Sequence, residues 1–129
     1  MQTILVIDDT ALAREAVAKL LEYEGFRAIR AANGKEAYAT LYDNTPDLVL
    51  LDLMMPEMDG VTFLRMVRHS NRWENLPVIV LTGVNDDNHL IARARELHID
   101  DLVPKATFGF QDLLDRVKKV MASKAAQAN

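Results

Sequence analysis

No cysteine occurs among the 129 residues, which excludes a disulfide framework, thiol catalysis and any Cys-type metal site. The lack also fits a reducing compartment. No apolar run is long enough for a secretory signal or a membrane span: the N-terminal one covers only Ile4 to Ile7, and Asp8 stops it. A cytoplasmic location without membrane contact is therefore expected. Positive charge is scarce as well. Fifteen Lys and Arg face nineteen Asp and Glu, a net charge of −4, which argues against direct nucleic-acid binding. The small basic group Arg65, Arg68 and Arg72 reads as the solvated face and end of a helix. His69, His89 and His98 lack ligand spacing and read as solvated. No internal repeat and no interior linker is found. Against these absences, half of the residues are hydrophobic and 26% are charged, the balance of one globular domain with a core of its own.

Taken in order, the chain alternates strand and helix. Thr3 to Ile7 reads as a buried strand ending in Asp8-Asp9, with Thr10 to cap a helix whose buried face is Leu12, Ala13, Ala16, Val17, Leu20 and Leu21. Gly25 stops that helix. Phe26 to Ala31 is a more polar, edge-type strand. Asn33-Gly-Lys-Glu36 resembles a capping box for a helix running to about Asp43. A third helix after Asp59-Gly60 carries Val61, Leu64 and Val67 inward, and Trp73 covers the edge of the core. Pro77 to Leu81 is a fully apolar strand ending in Thr82-Gly83. Asn85-Asp-Asp87 caps a fourth helix with the stripe Leu90, Ile91, Ala94 and Leu97. Asp101 to Val103 is a short fifth strand leading to Pro104-Lys105. The last helix has the stripe Phe110, Leu113, Leu114, Val117, Val120 and Met121. Residues 2–121 are expected to form the domain and 122–129 a flexible C-terminal tail. No helix-turn-helix or catalytic segment follows residue 121, so the output is expected to pass through a partner protein, unless the chain is part of a longer one.

Five strands alternating with five helices give an α/β sandwich around a parallel sheet. The first, third and fourth runs are the apolar ones and belong inside; the second and fifth belong at the edges. The expectation is a doubly wound, flavodoxin-like sheet of order 2-1-3-4-5 with helices on both faces. Ligands of such sheets bind at the carboxyl ends of the strands.

That rule gathers distant residues at one rim. The central run Leu48 to Leu51 is unbroken, as when both faces of a strand are covered, and it ends on Asp52. Asp8 and Asp9 end the first strand, Thr82 the fourth and Lys105 the fifth. Two unit charges ~4 Å apart cost roughly 4 kcal/mol at an effective dielectric of 20, so three clustered carboxylates call for a cation. An all-oxygen set suits Mg²⁺. A cation, a lysine and a hydroxyl around one carboxylate are what phosphoryl transfer to that carboxylate requires.

The set Asp8-Asp9, Asp52-Leu-Met-Met-Pro56, Asp59-Gly60, Thr82-Gly83 and Lys105 resembles the receiver domain of bacterial two-component response regulators, in particular single-domain, chemotaxis-type regulators. The resemblance implies a phosphoacceptor at Asp52, with Mg²⁺ held by Asp9, Asp52, the Met54 carbonyl and, through water, Asp8. It implies that Lys105 pairs with the phosphoryl group and that Thr82 moves to hydrogen-bond it. The donor would be a phosphohistidine on a sensor kinase or phosphotransfer protein, or a small acyl phosphate. The downstream protein would dock on the face made by the fourth helix, fifth strand and fifth helix, with the domain a monomer or a phosphorylation-dependent dimer. Such a module catalyses only its own phosphorylation and slow dephosphorylation. Two positions depart from the pattern: Ala106 follows the lysine where proline is usual, leaving the isomer of that peptide bond open, and Leu102 stands in the place of an aromatic residue.

Two other functions fit the same topology less well. A Mg²⁺-dependent phosphohydrolase with an aspartyl-phosphate intermediate wants a second acid two residues after the nucleophile, where this chain has Met54. A nucleotide or flavin module wants phosphate-binding backbone donors in its first loop. Here Asp8-Asp9-Thr10 presents carboxylates instead.

Overall fold

The strand runs assemble as their patterning predicts, and the helical stripes do so with exceptions in the first and last helices. The computed structural model describes residues 1–53, 55, 58–83, 88–105 and 109–127. The strands are β1 (Thr3–Ile7), β2 (Arg27–Ala31), β3 (Leu48–Asp52), β4 (Val78–Thr82) and β5 (Asp101–Pro104). They form one parallel sheet in the order β2-β1-β3-β4-β5. The helices are α1 (Ala11–Tyr23), α2 (Gly34–Asp43), α3 (Gly60–Arg68), α4 (Asn88–Glu96) and α5 (Phe110–Gln127). All five residues of β1, β3 and β4 are buried, while the edge strand β2 buries only Ala31 fully.

The unbroken apolar strands are explained by a core on each side. On one face, Leu5, Ile7, Val49, Leu51, Val78 and Val80 meet α2, α3 and α4. On the other, Ile4, Val6, Leu48, Leu50, Ile79 and Leu81 meet α1 and α5. Successive strand residues point to opposite faces, so both sets must be apolar. Trp73 lies at the edge of the first core, 3% exposed, with the Arg72 guanidinium 4.8 Å from its ring centroid.

Helix ends follow the capping residues with some corrections. Asn33 accepts from the Glu36 N–H at 2.8 Å, and Asp59 caps α3 by accepting from the Thr62 N–H at 2.8 Å. Gly25 follows α1 with φ +96°, a conformation that suits glycine. Thr10 takes the N-cap position of α1 but makes no side-chain cap bond. The predicted stripe of α1 is also rotated: Leu12 is 84% exposed and Ala16 is exposed, whereas Ala18 is buried with Val17 and Leu21. In the same way Phe110 is 51% exposed, at the head of an α5 stripe that is otherwise buried. Both residues lie in the first turns of their helices. α5 continues past Met121 to Gln127, and Lys124 within it pairs with Asp100 at 3.2 Å. Residue 121 therefore falls inside the helix. The expected cap Asn85-Asp-Asp87 lies outside the described residues.

Arg68 is a further correction. Rather than a solvated helix-face residue, it is half-buried and donates to four carbonyls: Leu97 (2.8 Å), His98 (2.8 Å), Leu76 (2.8 Å) and Glu74 (3.1 Å). His69, His89 and His98 are exposed, as expected.

Candidate functional site

The parallel arrangement brings the carboxyl ends of β1, β3, β4 and β5 to one rim. Asp52 is the last residue of β3 and is 4% exposed; Asp8, one residue past β1, is 2% exposed. Asp9 follows and is exposed. One oxygen of each of Asp8, Asp9 and Asp52 lies within 4.8 Å of the others. Lys105, directly after β5, reaches over this cluster. Its Nζ is 2.8 Å from Asp8 Oδ2 and 3.3 Å from Asp52 Oδ2. Thr82 ends β4 and is 7% exposed. Asp52 pairs in register with Leu81, one residue before Thr82. The Lys105 N–H donates to the Thr82 carbonyl at 2.7 Å, which fixes where the lysine leaves the sheet. Asp8, Asp9, Asp52, Thr82 and Lys105 therefore share one rim.

The backbone around β3 leaves no slack. A Cβ on Gly60 would lie 2.6 Å from the Asp52 carbonyl oxygen and 2.8 Å from the Leu53 Cα. The Gly60 N–H donates to the Leu53 carbonyl at 2.9 Å. The Asp59-Gly60 pair thus works in two ways: the first residue caps α3, and the second lets the start of α3 lie against the end of the central strand.

Electrostatics set the state of the cluster. Burial pushes the Asp52 carboxyl up to about 7; the Lys105 charge opposes this, and the Asp8 charge adds to it. Burial acts to lower the Lys105 pKa, but the hydrogen bond to Asp8 and the charges of Asp52 and Asp8 outweigh it and raise it. Three carboxylates against one ammonium leave excess negative charge in a largely buried site. An all-oxygen donor set of this kind fits a hard divalent cation. The Met54 carbonyl and the Lys105–Ala106 peptide bond lie outside the described residues. Leu102 packs, partly buried, against the core of α2, α3 and α4.

Arg14 is a residue near the site that sequence patterning did not single out. Its Nη1 donates to the Asp8 carbonyl at 2.8 Å. A contact from a side chain to a main-chain oxygen six residues earlier leaves no periodic signal.

Comparison with known proteins gives a consistent picture. The family model described as the response regulator receiver domain matches residues 4–118. The chain is 34% identical over 120 residues to the phosphate regulon transcriptional regulatory protein PhoB of Pseudomonas aeruginosa, covering 93% of this chain and 52% of that protein. It is 36% identical over 129 residues to a transcriptional regulatory protein, a CpxR homolog, of Haemophilus influenzae, covering 100% of this chain and 54% of that one. The chain thus spans about half the length of these relatives. Among solved structures, it is similar to the receiver domain of a signal transduction histidine kinase from Syntrophus aciditrophicus, with a TM-score of 0.86 at 30% identity, covering 95% and 92% of the two chains.

Proposed function

The chain belongs to the response regulator receiver domain family, a family of phosphoacceptor signalling modules, and from that premise we propose that Asp52 is the residue phosphorylated. The supporting observation is the placement of its carboxylate: nearly buried, at the end of the central strand, 3.3 Å from the Lys105 ammonium and beside Asp8 and Asp9. A carboxylate oxygen of Asp52 attacks the phosphorus of a phosphohistidine. The P–N bond breaks as the P–O bond forms, and the departing imidazole takes up a proton. A small acyl phosphate serves as donor in the same way, losing its carboxylate. Lys105 lies where it can follow the charge from the carboxylate to the new phosphoryl oxygens, and Thr82 offers the hydroxyl that answers them from β4. Asp8, Asp9 and Asp52, with the Met54 carbonyl, are the proposed Mg²⁺ ligands; the ion when bound neutralises phosphoryl oxygens.

The donor would be a sensor histidine kinase or phosphotransfer protein, in keeping with a cytoplasmic location. No described helix is long and apolar enough to cross a membrane. Leu12 and Phe110 support a landing surface for the donor: they are exposed apolar residues in the first turns of α1 and α5, which lie together on one face of the sheet and begin at the same rim. The downstream protein would bind the face of α4, β5 and α5. The expected absence of direct nucleic-acid contact applies to this domain alone, because the longer relatives above are named transcriptional regulators. The phosphohydrolase alternative gains no support from them either.

Intact-mass measurement after treatment with acetyl phosphate tests the assignment. With Mg²⁺ the protein should gain one phosphoryl group, labile to base, and a chelator should suppress the gain. Asp52→Asn should gain none; undiminished labelling of that variant would refute the assignment.

A further inference from the structure

Arg14 occupies a poor position if its charge is all that matters. It lies four residues into α1, close to the positive pole of the helix, where a cation is disfavoured. What it gains there is one hydrogen bond, to the main-chain oxygen of Asp8 at 2.8 Å.

That oxygen belongs to the peptide joining Asp8 to Asp9. Asp8 itself is tied by three other contacts. Its N–H donates to the Ala31 carbonyl at 3.1 Å, its Oδ1 accepts from the Thr10 N–H at 2.9 Å, and its Oδ2 accepts from Lys105 at 2.8 Å. These fix the first acid of the pair. The Arg14 bond fixes the plane of the next peptide, and so the direction in which Asp9 leaves the backbone. Asp9 is the exposed member of the carboxylate cluster; the Asp8 charge repels it, while a side-chain hydrogen bond links it to Asp52.

We propose that Arg14 is a positioning residue, which by holding the Asp8 carbonyl keeps the Asp9 carboxylate within the cation cluster. The inference rests on reading that cluster as a Mg²⁺ site. It makes a prediction opposite in sign to a purely electrostatic role. Removing a nearby positive charge should strengthen cation binding; loosening the turn should weaken it.

Calorimetric titration with MgCl₂ of the wild type, R14Q and R14K, at low and at moderate salt, separates the two. R14Q should bind Mg²⁺ on the order of tenfold more weakly, the range seen when a group supporting a metal ligand is lost. R14K keeps a charge and a donor and should recover most of the affinity. Far-UV dichroism checks that each variant is folded. If R14Q is not, R14M, which retains the apolar stem, takes its place with the same outcomes. Binding by R14Q as tight as that of the wild type, or tighter, would overturn the inference. A wild type that does not bind Mg²⁺ would overturn the cation-site reading instead.

Discussion

Asp52 has a carboxyl held at about 7 in the folded chain, against 3.8 for the ordinary side chain, chiefly because it is buried. The folded protein therefore keeps that proton to higher pH than the unfolded chain does. Between those two values the unfolded state binds fewer protons, so ionisation of Asp52 lowers stability as pH rises. Asp52→Asn removes this loss. In the absence of divalent cation, the variant should melt above the wild type at pH 8 by the equivalent of about 1–2 kcal/mol, after allowance for solvent screening. The gap should shrink towards zero near pH 4. Thermal melts in chelator across that range check it, and a gap that is constant with pH would contradict the assigned titration. At this scale, the residue types were legible in advance: Asp8, Asp9, Asp52, Thr82 and Lys105 were recognisable because each stands at the end of a strand or just past it. The pairing of Lys105 with Asp8 more closely than with Asp52 was not. Nor was Arg14, whose partner is a backbone oxygen that every residue type carries.

Elements meet away from the rim through Arg68, at the end of α3. Its guanidinium joins the carbonyls of Glu74 and Leu76, before β4, to those of Leu97 and His98, after α4. The last carbonyls of a helix lack intrahelical partners, and Arg68 supplies donors where α4 ends. His98, which follows, has φ +62°, in the left-handed region. Burial lowers the Arg68 pKa and the Asp100 charge partly offsets this, so the group is held by its carbonyls rather than by a contacting acid. Arg68→Gln should cost about 2–3 kcal/mol in chemical denaturation. Arg68→Lys should recover only part, because one ammonium cannot span four oxygens. Faster amide exchange at the end of α4 should accompany the loss; a cost below about 0.5 kcal/mol for Arg68→Gln would show the clamp to be incidental. The sequence pointed to a solvated arginine here because helical spacing reports the face of α3 and not the loops that fold back over its end. The stripe of α1 failed for a related reason. Leu12 has the spacing of a core residue, yet it is 84% exposed, because spacing does not report which way the helix is turned on the sheet.

Across the whole molecule, the interior places of β1, β3 and β4 and the edge places of β2 and β5 were readable from hydrophobicity, while the full order β2-β1-β3-β4-β5 came with the doubly wound fold class. Leu48 to Leu51 and Val78 to Leu81 carry no polar residue on either face, so each strand needs neighbours and helices on both sides. Arg27 and Arg30 in β2 mark an edge, where Arg30 reaches Glu15 and Glu22 on α1 at 2.8 and 2.9 Å. The topology then decides the chemistry, since parallel strands place every carboxyl end at one rim and so bring together acids 44 residues apart in the chain. What the pattern could not supply is the depth of the site: Asp8 and Asp52 are nearly closed off from solvent while Asp9 remains open to it. That asymmetry suits a domain that accepts a phosphoryl group at one buried carboxylate while keeping a path for a cation. The most direct test is to locate the phosphoryl group after reaction with acetyl phosphate and Mg²⁺. Borohydride reduction converts an aspartyl phosphate to homoserine, which tandem mass spectrometry of the peptides can place. Homoserine at position 52, and at no other aspartate, is the predicted result; homoserine at Asp8 or Asp9 with Asp52 intact would contradict it.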